Sequence, residues 1–333
     1  MDTDVLDRTD VLDRTDWSGS LLVADDSGRV VERSGGRTDG PASAPCGPDT
    51  RFQAGSISKS VMTVVVLHLE ERGALRLDEP IDTWLPELPA AIRSTTLHQL
   101  LGHTSGVGHW GDVPGLPPVL ADPPGRDALV AMVLAAPVVD GPGRSWRYSG
   151  PGFLLVALVV EAVTGQPYGA VAAEVVFARA GMHATTSGTC PIGDPGAADV
   201  RVAVGRVDGR PIAVAPRFAG IPGTGDLWTT TGDLLRYTRA LRAGALVGGT
   251  ERMWEPRVPL PPSDQDAPLV ATAYGYGTFT GRVLGQEAWF VPGDNPGYQS
   301  LLAHLPGTGT DVVLLSNDAD GVRTVLARLA EAG

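Results

Sequence analysis

"FQAGSISKSVMTVVVLHLEERG", residues 52–73, decides how the chain is read. The run Val64, Val65, Val66 suits a strand by composition. The stretch from about Ser56 to Arg72, stopped by Gly73, is too long for one and predicts a mostly buried helix. The segment also holds Lys59, the one lysine among 333 residues; the other 25 basic residues are arginine. A coding bias toward arginine accounts for the rest, so a position that keeps lysine needs something arginine lacks. Guanidinium stays protonated, whereas a buried ammonium can lose its proton and become a base. Ser56 and Lys59 are three residues apart at the start of the predicted helix, on one face and one turn apart. That is the reach an amine needs to accept a serine hydroxyl proton. Burial and the positive end of the helix dipole both disfavour the ammonium, and the dipole favours negative charge developing beside Ser56.

Length and composition set the outer bounds. A chain of 333 residues, 43% apolar and 19% charged, can bury a large core. A net charge of −12 with no basic stripe argues against nucleic acid as a partner. The opening "MDTDVLDRTDVLDRTD" repeats TDVLDR in tandem, without the basic and apolar regions of a signal peptide. Residues 1–16 are therefore expected to be a disordered acidic tail, and the protein to be cytoplasmic. "FLLVALVVEAV", Phe153 to Val163, falls short of the ~18 residues that span a bilayer and reads as a buried helix. Cys46 and Cys190 form no CxxC pair and read as reduced thiols. The histidines show no metal-ligand spacing, so neither a metal nor another cofactor is expected.

Strand patterns occur at both ends. "GSLLVADDSGRVVERSGG" reads as a hairpin about a D-D-S-G turn, and from about Ala271 "AYGYGTFTG", "AWFVPGD", "YQSLLAHLP" and "TDVVLLSN" read as strands. An amphipathic helix, "VRTVLARLAEAG", closes the chain, and helical patterns separated by Pro/Gly-rich loops fill the middle. The expected class is α+β, with one antiparallel sheet built from N- and C-terminal strands and flanked by helices, plus a mainly helical subdomain. Residues 17–333 then form a single catalytic domain: 17–74 and about 251–333 carry the sheet, and about 75–250 are mainly helical. The cleft is expected between the two parts.

S-x-x-K alone occurs by chance in many chains, but a longer series of motifs accompanies it. "FQAGSISK", "GALRLDEPIDTWLPELP", "LHQLLGHTSG", "PGRSWRYSGPGFLLVALVVEAVTG", "LWTTTGDLLRYTRAL", "YGYG" and "PGYQS" follow in order over about residues 17–320. With them the sequence resembles the serine β-lactamase and penicillin-binding-protein-like superfamily, most of all its class C, D,D-peptidase and esterase branch. The resemblance implies the β-lactamase/transpeptidase-like fold, with Ser56 as nucleophile, Lys59 as its base or proton relay, and Tyr148 as a second base. A phenol becomes a usable base only beside a cation such as Lys59. The N–H groups of Ser56 and Asp294 would form the oxyanion hole. Ser149, expected to order its loop, Gly150, Val291, Pro292 and Gly293 fall at family substrate-binding positions. Trp110, Trp146 and Trp289 are candidate apolar walls that limit water. His103, in "HTSG", is expected to be a satisfied buried histidine.

Two departures bear on substrate. Where the family's third motif carries a lysine or histidine, this chain has Val291-Pro292-Gly293, which puts carboxylate-bearing β-lactams and peptidoglycan termini in doubt. Its second motif ends in Gly150 rather than asparagine. The expected function is a serine acyl-transfer enzyme of specialised small-molecule metabolism, antibiotic biosynthesis included. It would form an acyl-enzyme from a small ester or activated amide and pass the acyl group to an amine (transacylase) or to water (esterase). A β-lactamase or D-amino-acid peptidase or amidase is the alternative, and a non-catalytic ligand-binding protein is the alternative of another class. Partners are then a small-molecule substrate and an amine acceptor, not nucleic acid or membrane, and the oligomeric state is not legible.

Overall fold

A computed structural model describes residues 4–39, 43–116, 124–189, 191–192, 201–212, 220–261, 264–265 and 267–333. Cys190 and part of the loop near residue 120 lie outside them. The main sheet is antiparallel. In chain order its strands are β1 (Gly19–Ala24), β2 (Val30–Gly35), β3 (Val258–Pro259), β4 (Leu269–Tyr274), β5 (Phe279–Val283), β6 (Gln286–Asn295), β7 (Tyr298–Leu305) and β8 (Thr310–Ser316). Across the sheet they run β2-β1-β8-β7-β6-β5-β4-β3. The amino-terminal hairpin thus completes a sheet whose other strands come from the carboxyl-terminal end. "AYGYGTFTG", expected as one strand, is instead the end of β4, a turn with Gly277 at φ +64°, and the start of β5.

Side chains alternate between two cores, as the strand period of two requires. Leu22, Leu302, Val313 and Leu315 face one core, and Leu21, Leu301, Val312 and Leu314 face the other. The first core is built around helix α1 (Ile57–Glu71), whose apolar residues from Ile57 to Leu67 are buried all round. Its valine run disfavours a helix by a few tenths of a kcal/mol per residue. Each fully buried apolar side chain returns roughly 1.5–3 kcal/mol, so burial decides for the helix. After α2 (Leu97–Leu101) and α3 (Arg126–Ala135), α4 (Gly150–Thr164) and α5 (Tyr168–Ala172) pack against it, and α2 lies on α4. Next, α6 (Thr231–Arg242) lies against β1 and β8. The closing helix α7 (Gly321–Glu331) covers the opposite face. Among the described residues no single helix is long and apolar enough to cross a membrane. Cys46 is buried and free, and burial pushes its thiol up to about 11.

Residues 4–16 differ from the expected disordered tail. Val5–Arg14 form a 3₁₀ helix that packs beside α7 and buries Val5, Leu6 and Leu12. The tandem repeat explains why. Six residues make two full 3₁₀ turns, so both copies present the same face at a spacing of about 12 Å. Four residues along a strand span about 13 Å. Arg29 therefore meets Asp4 at 3.1 Å and Asp7 at 2.6 Å, and Arg33, one step along β2, meets Asp10 and Asp13. These ion pairs face water and set register more than stability. Leu12→Ala is expected to cost about 2–3 kcal/mol, whereas Arg33→Ala costs less than about 1 kcal/mol. Urea unfolding of both variants checks the order, and a larger loss in the arginine variant contradicts apolar docking.

Candidate active site

Ser56 stands at the N-cap of α1, yet its side chain makes no capping hydrogen bond. Its hydroxyl faces Lys59 instead, with Nζ 3.1 Å from Oγ. The other serines of the segment are structural: Ser58 Oγ accepts from the N–H of Leu227 at 3.1 Å, and Ser60 Oγ pairs with the Tyr237 hydroxyl at 2.6 Å. Gly55 turns the chain at φ +53°, and a Cβ there would stand 2.9 Å from the nitrogen of Asp294. At Gly293 a Cβ would stand 2.3 Å from the carbonyl oxygen of Ala54. Only because both positions lack side chains does β6 pass against the turn that carries Ser56. The backbone of Asp294 thereby comes beside that turn.

Lys59 is 3% exposed, and its ammonium donates to the carbonyl of Thr224 at 2.6 Å. Nζ also lies 5.0 Å from the Tyr148 ring centroid and 5.7 Å from that of Phe153. Burial pulls its pKa from 10.5 to about 7, and only the charge of Asp226 opposes this. Near neutrality the amine is thus half discharged, as a base working at that pH requires.

Two histidines frame Tyr148. The buried His103 accepts the N–H of Arg147 on its carbonyl at 2.8 Å and the N–H of Ser149 on Nδ1 at 3.2 Å. His109 Nδ1 accepts the N–H of Gly150 at 3.1 Å. Burial lowers both pKa values, so both rings are neutral and their Nδ1 lone pairs serve as acceptors. His103 is satisfied on one side only, since no hydrogen-bond partner reaches Nε2. It is held at φ +58°, a strained backbone for a non-glycine residue. Tyr148 has Ser56 as a hydrogen-bond partner, but burial raises its pKa far above 10. The half-buried setting of the ring thus works against the second-base role that the resemblance implies for Tyr148. Lys59 faces the ring and is itself half discharged near neutrality, so the charge it supplies at the hydroxyl is reduced.

Past Phe290, β6 pairs only with β7, because the β5 ladder ends at Phe290–Phe279. Pro292, which has no N–H to offer, sits on this free edge. The edge borders a cleft of about 780 Å³ that opens on Ser56, Lys59 and Tyr148. Trp110, Trp146, Pro292, Gly293 and Asp294 also line it. Three expected substrate contacts do not. Val291 alternates to the other side of the strand and is core, 2% exposed. Ser149 is buried as the N-cap of α4, accepting from the N–H of Gly152 and donating to the carbonyl of Gly108. Gly150 makes room for the Trp110 indole, whose Nε1 would stand 2.4 Å from a Cβ there. Trp289 stacks on Trp254 in the core. The sequence reading missed His109, Phe279, Asn295 and the Thr224–Gly225 loop as cleft residues. The glycines at 223 and 225, directly before the matching "LWTTTGDLLRY", were the available signal.

Comparison with known proteins agrees with this geometry. The profile of the Beta-lactamase family matches residues 15–332. Esterase EstB of Burkholderia gladioli is 32% identical over 183 residues, which cover 50% of this chain and 46% of the esterase, so the match spans about half of each. A putative penicillin-binding protein of Bacillus subtilis, PbpX, is 25% identical over 90% of this chain and 71% of its own. Among solved structures, a penicillin binding protein from Bacillus halodurans superposes with a TM-score of 0.82 at 24% identity, covering 98% of this chain and 100% of that one. D-amino acid amidase from Ochrobactrum anthropi gives 0.82 at 23% identity, covering 99% and 98%. These two structures bear on the fold alone. A family match that runs through nearly the whole chain, on a fold that puts a serine hydroxyl against a buried lysine, places the protein in the Beta-lactamase family.

Proposed function

We propose that the protein is a serine acyltransferase that forms an acyl-enzyme on Ser56 from a small neutral ester or activated amide. The observation that carries this reading is the 3.1 Å contact between the Ser56 hydroxyl and an amine whose pKa lies at about 7. Lys59 takes the hydroxyl proton as Oγ bonds to the carbonyl carbon, and the oxyanion is held by the N–H groups of Ser56 and Asp294. The proton then passes to the leaving oxygen or nitrogen as its bond to carbon breaks. Tyr148, still protonated at this pH and bonded to Ser56, acts as hydrogen-bond donor and relay. A second nucleophile repeats the sequence in reverse.

The acyl group goes to an amine in this reading. Among the described residues lining the cleft, Lys59 is the only lysine or arginine and is half discharged, while the Asp294 carboxylate is exposed there. Such a lining favours a neutral donor and a cationic acceptor over a carboxylate-bearing β-lactam. An amine gains over water by being positioned, which a shaped pocket supplies as effective molarity. The same carboxylate supports a second reading, hydrolysis of an amino-acid amide bearing an ammonium group. The fold similarity to a D-amino acid amidase accompanies it.

Ser56→Ala is expected to abolish labelling by a fluorophosphonate, read by intact mass, with little loss of stability, since its side chain makes no capping hydrogen bond. Lys59→Arg and Lys59→Ala should both slow labelling by roughly 10²–10⁴-fold, because arginine keeps the charge but cannot act as a base. Labelling of the arginine variant near the wild-type rate, or none of wild type, contradicts the reading. Partitioning tests the acceptor. With an activated ester and millimolar amines, amide product should exceed free acid for at least one amine. Free acid dominating with every amine, alongside fast Ser56-dependent turnover in water, makes the protein an esterase.

A further inference from the structure

Asp226 takes no part in the chemistry above, yet its carboxylate is buried in the loop that seats Lys59. It is 1% exposed, two residues after the Thr224 carbonyl that holds Lys59. Its Oδ1 accepts the N–H of Gly223 at 2.9 Å and its Oδ2 accepts the Ser187 hydroxyl at 2.5 Å. The loop 223–227 is tied on three further sides. The N–H of Leu227 donates to Ser58 Oγ at 3.1 Å, the carbonyl of Gly225 accepts Asn295 Nδ2 at 2.8 Å, and Thr224 Oγ1 donates to the carbonyl of Ile221 at 3.1 Å. Helix α1, strand β6 and the segment at Ser187 thus converge on five residues that border the cleft and present a carbonyl to the amine.

We infer that Asp226 is a positioning residue for the Ser56–Lys59 pair: it locks the loop whose carbonyl seats the amine and places a buried carboxylate in that seat. The inference rests on the acyl-transfer reading. The groups facing Lys59 are Tyr148, His103, His109 and Asp226, together with the exposed Asp294 at the cleft edge. Tyr168 on α5 faces Asp226 and is kept neutral by burial. The two histidines and the tyrosines are uncharged near neutrality, which leaves Asp226 as the buried counter-charge. Burial raises its own pKa to about 6, so most of the carboxylate is ionised at pH 7, where Lys59 is half discharged. The sign follows. An ionised Asp226 favours the ammonium, so removing its charge lowers the pKa of Lys59 and leaves more neutral amine at lower pH.

Asp226→Asn keeps an acceptor for Gly223 and a polar partner for Ser187 while deleting the charge. The experiment measures the rate of Ser56 labelling by a fluorophosphonate between about pH 5 and 9 for wild type, Asp226→Asn and Ser187→Ala. Wild type should show an acidic limb near pH 7. Asp226→Asn should move that limb down by roughly one pH unit, and Ser187→Ala, which makes the carboxylate harder to ionise, should move it the same way by less. A variant that labels but keeps its limb within about 0.2 of wild type reduces Asp226 to a structural residue and overturns the inference alone. If Asp226→Asn does not fold, the Ser187→Ala limb decides by the same criterion. Wild type that labels at no pH overturns the serine-nucleophile reading and this inference with it.

Discussion

A buried amine is the constraint around which the site is arranged. Holding Lys59 at about 7 instead of 10.5 costs on the order of 4 kcal/mol of folding free energy at pH 7, because the unfolded chain binds a proton that the folded chain half releases. That is a large part of the stability of an ordinary domain. The surrounding structure offsets it with a carbonyl at 2.6 Å, a hydroxyl at 3.1 Å and two aromatic faces. A guanidinium in the same place would stay charged and need more donors satisfied than this cradle has acceptors. The arginine bias of the chain stops at this position for that reason.

The fold serves the constraint by backbone contact. α1 carries Ser56 and Lys59 on one face because it is buried all round, and the core fixes its rotation. β6 reaches the Ser56 turn because Gly55 and Gly293 offer no side chains, and beyond Phe290 the strand is free to border a cleft. Tyr148 is set between two residues whose N–H groups and neighbours are gripped by His103 and His109. Each functional group therefore comes from a rigid element or from a segment pinned to one. That is the arrangement in which a donor–acceptor distance persists through the reaction.

Much of this is written in local pattern. The helix at 57–71, the buried helix at 150–164, the two-ended sheet and the Ser56–Lys59 spacing all follow from period and length, which are short-range properties. What escaped depends on facing. Val291 and Pro292 alternate across a strand, and the motif alone does not say which one meets the cleft. Gly150 reads as a missing side chain, whereas in space it is the room taken by Trp110 from a distant turn. The amino-terminal repeat shows no local sign of order; its partners are Arg29, just before β2, and Arg33 within it, at a commensurate spacing. Asp226 gave no signal at all, since a carboxylate beside a lysine is legible only once the loop is folded.

The central claim is the protonation state of one side chain, and the sequence makes it measurable in isolation. With a single lysine in the chain, protein grown on lysine labelled with ¹³C at the ε-carbon gives one side-chain resonance. Its shift can be followed against pH without assignment. The structure predicts a titration midpoint near 7. A midpoint near the ordinary lysine value of about 10.4 contradicts the account, because the amine beside Ser56 would then be a plain ammonium and could not take the serine proton at neutral pH.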